Sequence, residues 1–287
     1  MRNSSSPRRS AGEWLLFGAT RAALAVLIAL TSYALLTYAL ARPVGSDVTA
    51  YWNAAERLRN GETLYQAGAA NASDLYRYAP WFAFAWIPLT YLPFEAVVSA
   101  WVGLMVAAAL ISTVPLLRLG PTGWAACAFF LPLQLQGAVW GNVQPLLVLM
   151  LMWGVGRRSG PVWIALGTSL KAVPIVLTLV YAGRGEWRKA GIAAALTALL
   201  VAPMLFFDLS GYSTAPGPNQ DSLAGVSLFL FVPIAVGALV ATYRLAGTRY
   251  RWAAGAFAMI ASLPRMLSYE STFMLVGLAD DRRKEPE

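Results

Sequence analysis

Long apolar stretches alternate with short polar ones along most of this chain. The runs from Ala22 to Leu40 and from Ala96 to Leu117 are mostly apolar. Each approaches the roughly 20 residues that a helix needs to cross the ~30 Å hydrocarbon core of a bilayer. The runs are continuous and rich in Leu and Ala, whereas the strands of a membrane β-barrel alternate apolar with polar residues. The pattern predicts an all-α integral membrane protein.

A long polar segment separates the first apolar run, residues 14–41, from the next one. Within this segment, Ser46 to Arg59 carries apolar side chains at helical spacing, and Gly61 follows its end. Pro80 to Tyr91 is a second apolar stretch of ~12 residues, which is too short to span a bilayer. The sequence therefore predicts two short amphipathic helices on the membrane surface, within a first external loop at residues 42–94.

Three pairs of short apolar segments follow, and a polar vertex interrupts each pair. The vertices are Gly141-Asn142, Lys171 and Pro264-Arg265. Half-length helices at membrane depth are tolerated where their ends line a protein or water cavity. Each pair begins and ends among Arg or Lys, so the three vertices should face the side that holds Asp47 and line one external-facing cavity. The paired segments are Trp124 to Gly137 with Val143 to Gly154, Pro161 to Leu170 with Val173 to Ala182, and Trp252 to Leu263 with Leu267 to Ala279.

Two ordinary spans, Ala190 to Phe207 and Leu223 to Thr242, complete the pattern. The sum is a bundle of about ten transmembrane helices. We expect one transmembrane domain at residues 14–279, with cytoplasmic tails at residues 1–13 and 280–287.

Composition and charge agree with this topology. Hydrophobic residues make up 58% of the 287 residues and charged residues only 13%, whereas soluble proteins carry about 25%. If the N-terminus is cytoplasmic, most of the 22 Lys and Arg residues lie on that side, which is the positive-inside bias. The net charge of +8 then reflects topology and contact with anionic membrane lipids, and makes no case for nucleic acid. We expect a plasma (inner) membrane protein with both termini cytoplasmic.

The chain has no histidine and a single cysteine, Cys127, which removes the commonest metal ligands. No nucleotide-binding or zinc-protease motif is present either. We therefore expect neither a metal site nor a cofactor, and any acid or base must be Asp, Glu, Lys, Arg or Tyr.

Asp47 is the carboxylate best placed for catalysis, because it lies at the membrane boundary on the side of the vertices. Helix capping explains it equally simply, since Asp is a favoured N-cap. Lys171 interrupts a pair of apolar helices, where a buried cation is costly and usually functional, although its ammonium could instead extend to the interface. Arg265 is likewise a cation between two apolar segments and is therefore a second candidate, with Tyr269 and Glu270 about one turn further along the chain. Two cations suit an anionic headgroup, and phosphate is the obvious one.

Asn142 and Gln144 place amide groups at the first vertex. Such groups are suited to binding hydroxyl groups, but a capped turn ahead of Pro145 explains them as well.

The order of these motifs resembles the polyprenyl-phosphate-mannose-dependent mannosyltransferases of glycosyltransferase family 87. The resemblance covers roughly Val44 to Arg188. It departs from the family in Tyr78-Ala79-Pro80, where Tyr-Pro-Pro is typical, and in Gly141-Asn142-Val143-Gln144, where Gly-Gln-x-Asn is typical. The matching pieces are Ser46-Asp47, Tyr51-Trp52, Gly61-x-x-Leu64-Tyr65, Tyr78-Ala79-Pro80, Pro88-Leu89, Leu92-Pro93, Gly141-Asn142 with Gln144, and Leu170-Lys171 with Pro174.

The resemblance implies a GT-C fold and transfer of a sugar, mannose in that family, from a polyprenyl-phosphate donor to a lipid or glycan acceptor on the extracytoplasmic side. Asp47 matches the proposed general base of the family. We expect Lys171 and Arg265 to bind the donor phosphate. The residues expected to bind sugar or acceptor are Tyr51, Trp52, Arg77, Tyr78, Asn142, Gln144, Tyr269 and Glu270. Two other classes fit the pattern: a transporter or flippase of lipid-linked sugars, and a non-catalytic lipid-binding membrane subunit.

Overall fold

The computed structural model describes residues 11–40, 43–66, 75–212 and 222–279. All regular elements in these ranges are helical, and none is a strand. The all-α prediction is therefore confirmed for the described residues. Most of the two predicted tails, residues 1–10 and 280–287, lies outside them.

The first long helix, α1 (Ala11–Leu40), leads to the two short helices that the sequence predicts. Helix α2 has the predicted bounds, Ser46–Arg59, and Gly61 follows it with a positive φ of 73°. Helix α3 (Pro80–Trp86) begins with its proline and continues as a 3-10 helix, Ile87–Tyr91. A proline suits the first turn of a helix, where its missing N–H would have no partner.

The remaining helices follow the predicted segments closely, with two exceptions. Helix α5 has 20 residues instead of the predicted 14-residue half-helix at Trp124 to Gly137, because Gly120 and Pro121 open it earlier and Ala138 and Val139 continue it. The predicted span Leu223 to Thr242 is divided at Ser227, whose backbone is extended. The elements are α4 (Phe94–Leu117), α5 (Gly120–Val139), α6 (Gln144–Gly154), α7 (Gly160–Leu170), a 3-10 helix (Val173–Leu177), α8 (Thr178–Gly183), α9 (Trp187–Val201), a 3-10 helix (Ala202–Phe206), α10 (Leu223–Val226), α11 (Leu228–Arg244), α12 (Arg251–Ala261) and the C-terminal 3-10 helix (Ser268–Leu278).

Two helical segments in the described residues are long and apolar enough to cross a membrane, Phe94–Leu117 and Trp187–Phe206. Shorter apolar helices accompany them, including Gln144–Gly154, Gly160–Leu170 and Leu228–Arg244. These helices indicate a membrane protein, while the count of about ten spans and the orientation of the termini stay predictions.

Two apolar cores hold the bundle together. One lies among α6, α7, α8, α12 and the C-terminal 3-10 helix, with Leu151, Ile164 and Phe273 fully buried. The other lies beneath the first external loop, where Tyr51 and Trp86 are fully buried. Between these cores, Trp140 packs edge-on against Tyr269. This contact joins the residues beside the first and third vertices.

Candidate functional site

Helix α2 is attached to the end of α5 through backbone hydrogen bonds. The Gly45 N–H donates to the Val139 carbonyl at 2.8 Å, and the Asp47 N–H donates to the Trp140 carbonyl at 2.9 Å. Gly141 adopts a positive φ of 73°, and a Cβ there would overlap the Val48 side chain. Glycine tolerates a positive φ and has no Cβ, so it fits this position without strain or overlap. This close approach places Asp47 directly beside the first vertex.

Gly45, with a φ of 72°, occupies the N-cap position of α2, and no side chain caps this helix end. Asp47 lies in the first turn instead, where its negative charge interacts favourably with the helix dipole. The interpretation of Asp47 as an N-cap is therefore wrong. Its carboxylate accepts a hydrogen bond from Asn142, which lies outside its own helix.

Asn142 connects the Asp47 carboxylate to the third pair of segments. Its Nδ2 donates to Asp47 Oδ2 at 2.6 Å and to the Tyr269 hydroxyl at 3.2 Å. Its Oδ1 accepts the Gln144 backbone N–H at 2.9 Å, which fixes the orientation of the amide. Asn142 thus both forms the turn that precedes α6 and donates a hydrogen bond to Asp47. The interpretation as a turn residue is therefore compatible with the interpretation as a site residue.

Gln144 is fully buried at the start of α6. Its Nε2 lies 3.5 Å from Thr272 Oγ1, at the limit of a hydrogen bond, and its Oε1 has no partner among the described residues. Gln144 therefore extends the contact between the first vertex and the C-terminal 3-10 helix.

Lys171 and Glu270 join the second and third vertices as an ion pair. The Lys171 ammonium lies 3.1 Å from Glu270 Oε1, and the two side chains keep only 15% and 12% of their exposure. The other carboxylate oxygen, Oε2, accepts the Leu267 N–H at 2.8 Å, at the start of the C-terminal 3-10 helix. The ammonium also lies 4.9 Å from the centre of the Tyr269 ring. The pair therefore fixes the segment that carries Tyr269.

Two tyrosines of the external loop, Tyr51 and Tyr78, lie near Asp47, whose charge acts on both. The hydroxyls of Tyr51 and Tyr78 lie 3.1 Å apart. Burial raises the pKa of Tyr51 well above its usual value, and the nearby Tyr78 and Asp47 raise it further. Burial also raises the pKa of Tyr78, followed by the charge of Asp47. Both hydroxyls therefore stay protonated at neutral pH and can donate hydrogen bonds.

Tyr78 is preceded by Arg77, and the loop that holds both is attached to the end of α7. The Ala79 N–H donates to the Ser169 carbonyl at 3.4 Å, and Trp81 Nε1 donates to Ser169 Oγ at 3.1 Å. Because Ser169 lies two residues before Lys171, these bonds bring the external loop to the second vertex.

The structure brings together most of the residues that the sequence assigns to the site. Direct contacts join Asp47, Asn142 and Tyr269, and the ion pair adds Lys171 and Glu270. Trp52 differs, since its ring packs edge-on against Phe94 at 5.2 Å between centroids, as part of the apolar core beneath the loop. Tyr51 is also a core residue, and only its hydroxyl reaches the polar network.

Sequence reasoning missed polar residues on the facing helices. Thr272 contacts Gln144, and Ser268 Oγ donates to Gln136 Oε1 at 3.0 Å. A signal was present, because Gln136 interrupts an otherwise apolar helix and buried amides in such helices need partners.

In the described residues, two cavities lie away from the three vertices, at which the sequence predicts an external-facing cavity. One of about 250 Å³ lies beside the outer end of α2, and one of about 260 Å³ lies between α4, α5 and the C-terminal 3-10 helix. At the three vertices the polar groups contact one another directly. In the described residues, no three His, Cys, Asp or Glu side chains come together as a metal site would require. The first cavity is lined by Asn53, Glu56, Arg57, Asn60, Glu62 and Gln66.

Comparison with known proteins identifies the family. The sequence profile of glycosyltransferase family 87 matches residues 76–268, about two thirds of the chain. The chain belongs to glycosyltransferase family 87. No curated protein and no solved structure matches it.

The family 87 match extends further toward the C-terminus than the resemblance in sequence predicts, and it begins later. It includes Arg77, Tyr78, the first two vertices and Arg265. Asp47 precedes the matched residues, and Tyr269 and Glu270 follow them. Membership therefore establishes a glycosyltransferase, while the place of Asp47 in its site depends on the geometry.

Proposed function

We propose that this family 87 protein transfers a sugar, mannose by the resemblance, from a polyprenyl-phosphate donor to a lipid or glycan acceptor on the extracytoplasmic side of the inner membrane. The contact between Asn142 and Asp47 carries the proposal. It holds a carboxylate at the point where the external loop meets the three vertices. A general base needs such a fixed position within hydrogen-bond reach of the proton that it accepts.

The reaction is a single displacement. The acceptor hydroxyl oxygen forms a bond to the anomeric carbon, its proton passes to the Asp47 carboxylate, and the bond between that carbon and the phosphate oxygen breaks. The electron pair of the broken bond stays on the polyprenyl phosphate. One displacement inverts the configuration at the anomeric carbon. The leaving group is already a weak base, so the proposal requires no general acid, metal or other cofactor.

The neighbouring hydroxyls are placed to bind the sugar. Tyr78 and Tyr269 are both within the electrostatic reach of Asp47, and Asn142 donates to the Tyr269 hydroxyl. Hydrogen-bond donors and acceptors fixed in this way orient a substrate before reaction, which contributes to rate by reducing the entropy lost in the transition state. We expect Lys171 to hold Tyr269 in position through its ion pair with Glu270 and its contact with the Tyr269 ring.

The test is sugar transfer by protein reconstituted in lipid vesicles with radiolabelled mannosyl polyprenyl phosphate and a panel of glycolipid acceptors. We expect Asp47→Asn to reduce the rate by about 100-fold or more, because a general base typically contributes that much. Asp208→Asn is the matched control, since Asp208 is exposed and outside the contacts described above.

Equal transfer by wild-type protein and Asp47→Asn would refute the role of this carboxylate as base. Absence of transfer from polyprenyl-phosphate sugars, with transfer from another donor, would refute the donor class instead.

A further inference from the structure

Within the part of the chain that the structure describes, two arginines at the candidate site have enclosed N–H groups without hydrogen-bond partners. These are Nε and Nη2 of Arg77 and Nε of Arg265. The other charged groups differ, since Lys171 pairs with Glu270 and Asp47 accepts from Asn142. A polar group that loses water and gains no partner destabilises the protein, and more so when it is charged. The enclosed N–H groups therefore indicate a site for an anion.

Both arginines lie around the Asp47 network. Arg77 interacts electrostatically with Tyr78, and Arg265 with Tyr269. The charge of Asp47 acts on both of these tyrosines, and Tyr78 also acts on Tyr269. Arg77 comes from the external loop and Arg265 from the third vertex, so the two arginines belong to separate elements of the site.

Lys171 is less suited to hold an anion than its position in the sequence indicates. Its ammonium is already neutralised by Glu270 at 3.1 Å. Glu270 also accepts the Leu267 N–H, so an anion that displaced it would disturb the start of the C-terminal 3-10 helix. The ion pair thus has a structural role that the two arginines lack.

The balance of charge is a further argument. Arg77, Lys171 and Arg265 provide three cations against the carboxylates Asp47 and Glu270, which leaves one positive charge. A phosphodiester carries one negative charge and would neutralise the site. When the sugar leaves, charge grows on the phosphate oxygen, and fixed guanidinium donors stabilise such growing charge.

We infer that Arg77 and Arg265 together bind the phosphate of the lipid-linked donor, while Lys171 and Glu270 position the segment that carries Tyr269. This inference rests on the proposed function. The planar guanidinium group offers paired N–H donors that match phosphate oxygens, which a lysine ammonium does not. The phosphate site therefore consists of Arg77 and Arg265, whereas the sequence predicts Lys171 and Arg265.

The test is binding of farnesyl phosphate, a short polyprenyl phosphate, to the purified protein in detergent. We expect Arg77→Gln and Arg265→Gln each to raise the Kd by about 10-fold or more, since hydrogen bonds between charged groups are strong. The double variant Lys171→Gln with Glu270→Gln should raise the Kd less than either arginine variant does, because the pair does not contact the anion. Arg249→Gln is the charge-matched control, and it should bind as wild type does.

Folding of each variant is checked by thermal unfolding without ligand. Arg77→Lys serves where Arg77→Gln does not fold: it keeps the charge and loses the paired donors, so its Kd should still rise several-fold. Competition with inorganic phosphate and with phosphatidylglycerol separates the possible sources of the phosphate group. Farnesyl phosphate should bind more tightly than either.

Three results would overturn the inference. Unchanged binding by both arginine variants refutes it and leaves the proposed function intact. Loss of binding only in the Lys171 and Glu270 double variant restores Lys171 as the phosphate ligand. Failure of wild-type protein to bind farnesyl phosphate, or equal competition by inorganic phosphate, refutes the polyprenyl-phosphate donor together with the inference.

Discussion

Helix α9 with the 3-10 helix after it, and helix α11, differ from the region of the three vertices in what they bury. Phe206 and Phe229 are 89% and 92% exposed, and only 6% of the most apolar part of Trp187–Phe206 is buried. At the vertices, Gln144 is fully buried and Glu270 is 9% exposed. The polar side chains at the vertices are therefore enclosed, while these two large apolar side chains are exposed.

This difference has two consequences. Exposed apolar surface of this extent is unfavourable in water, at about 25 cal/mol per Å², and is neutral in lipid. Buried polar groups are costly in lipid and persist where they are bonded to one another or to a substrate. We therefore expect changes at the vertices to alter stability and activity strongly, and changes on α9 and α11 to alter them little.

The largest effect on stability should come from breaking the ion pair. Glu270→Gln leaves the Lys171 ammonium enclosed without its counter-charge, and we expect a loss of about 3 kcal/mol in the free energy of unfolding. Denaturant unfolding in detergent measures it. The double variant Lys171→Gln with Glu270→Gln should recover much of the loss, and a double variant as unstable as Glu270→Gln would show that the two residues are not coupled.

Asn142→Ala should have the next largest effect, on activity. It removes the donor to Asp47 and to Tyr269, and we expect the transfer rate to fall about 10-fold, since a hydrogen bond to a charged group is lost. Asn53→Ala, on the outer side of the same helix as Asp47, is the matched control and should leave the rate unchanged. If both variants lost the same activity, the contact between Asn142 and Asp47 would have no special role.

A smaller effect concerns stability at alkaline pH. The pKa values of Tyr51 and Tyr78 are raised, first by burial, so the folded protein holds these protons more tightly than the unfolded chain does. Their contribution to stability is complete below about pH 10 and is lost as the pH rises through the higher folded pKa values. We expect Tyr51→Phe to make thermal unfolding less sensitive to pH between about pH 9 and pH 11. Equal sensitivity of variant and wild type would contradict this.

The smallest effect should come from the lipid-exposed surface. Phe229→Leu on α11 changes a side chain with few contacts inside the protein, so we expect less than about 0.5 kcal/mol in stability and unchanged transfer. A loss comparable to that of Glu270→Gln would mean that this face packs against protein instead of lipid.

Much of the fold could be predicted from the sequence because its signals are local. The bounds of α2 follow from helical spacing and from Gly61, and the vertices follow from polar residues that interrupt apolar runs. The length of α5 could not be predicted so well, since Gly120 and Pro121 are typical of a turn and Gly137 is typical of a helix end. The sequence did not indicate Gly45 as the N-cap of α2, because Ser46 and Asp47 are more typical N-cap residues.

The candidate site was only partly predictable, because its contacts join residues far apart in the chain. Lys171 and Glu270 are separated by 99 positions, and Asp47 and Asn142 by 95. The sequence shows that each group is polar in an apolar setting. It does not show that one cation is neutralised by a carboxylate while Arg77 keeps enclosed donors without partners.

The most direct test of the account is a structure of the protein with a non-transferable donor analogue bound, such as a mannosyl polyprenyl phosphonate. We expect the phosphonate within hydrogen-bond distance, ~3 Å, of Arg77 and Arg265, and the anomeric carbon next to the Asp47 carboxylate. An analogue bound with its sugar more than about 15 Å from Asp47 would contradict the role of this carboxylate, because no direct proton transfer spans that distance.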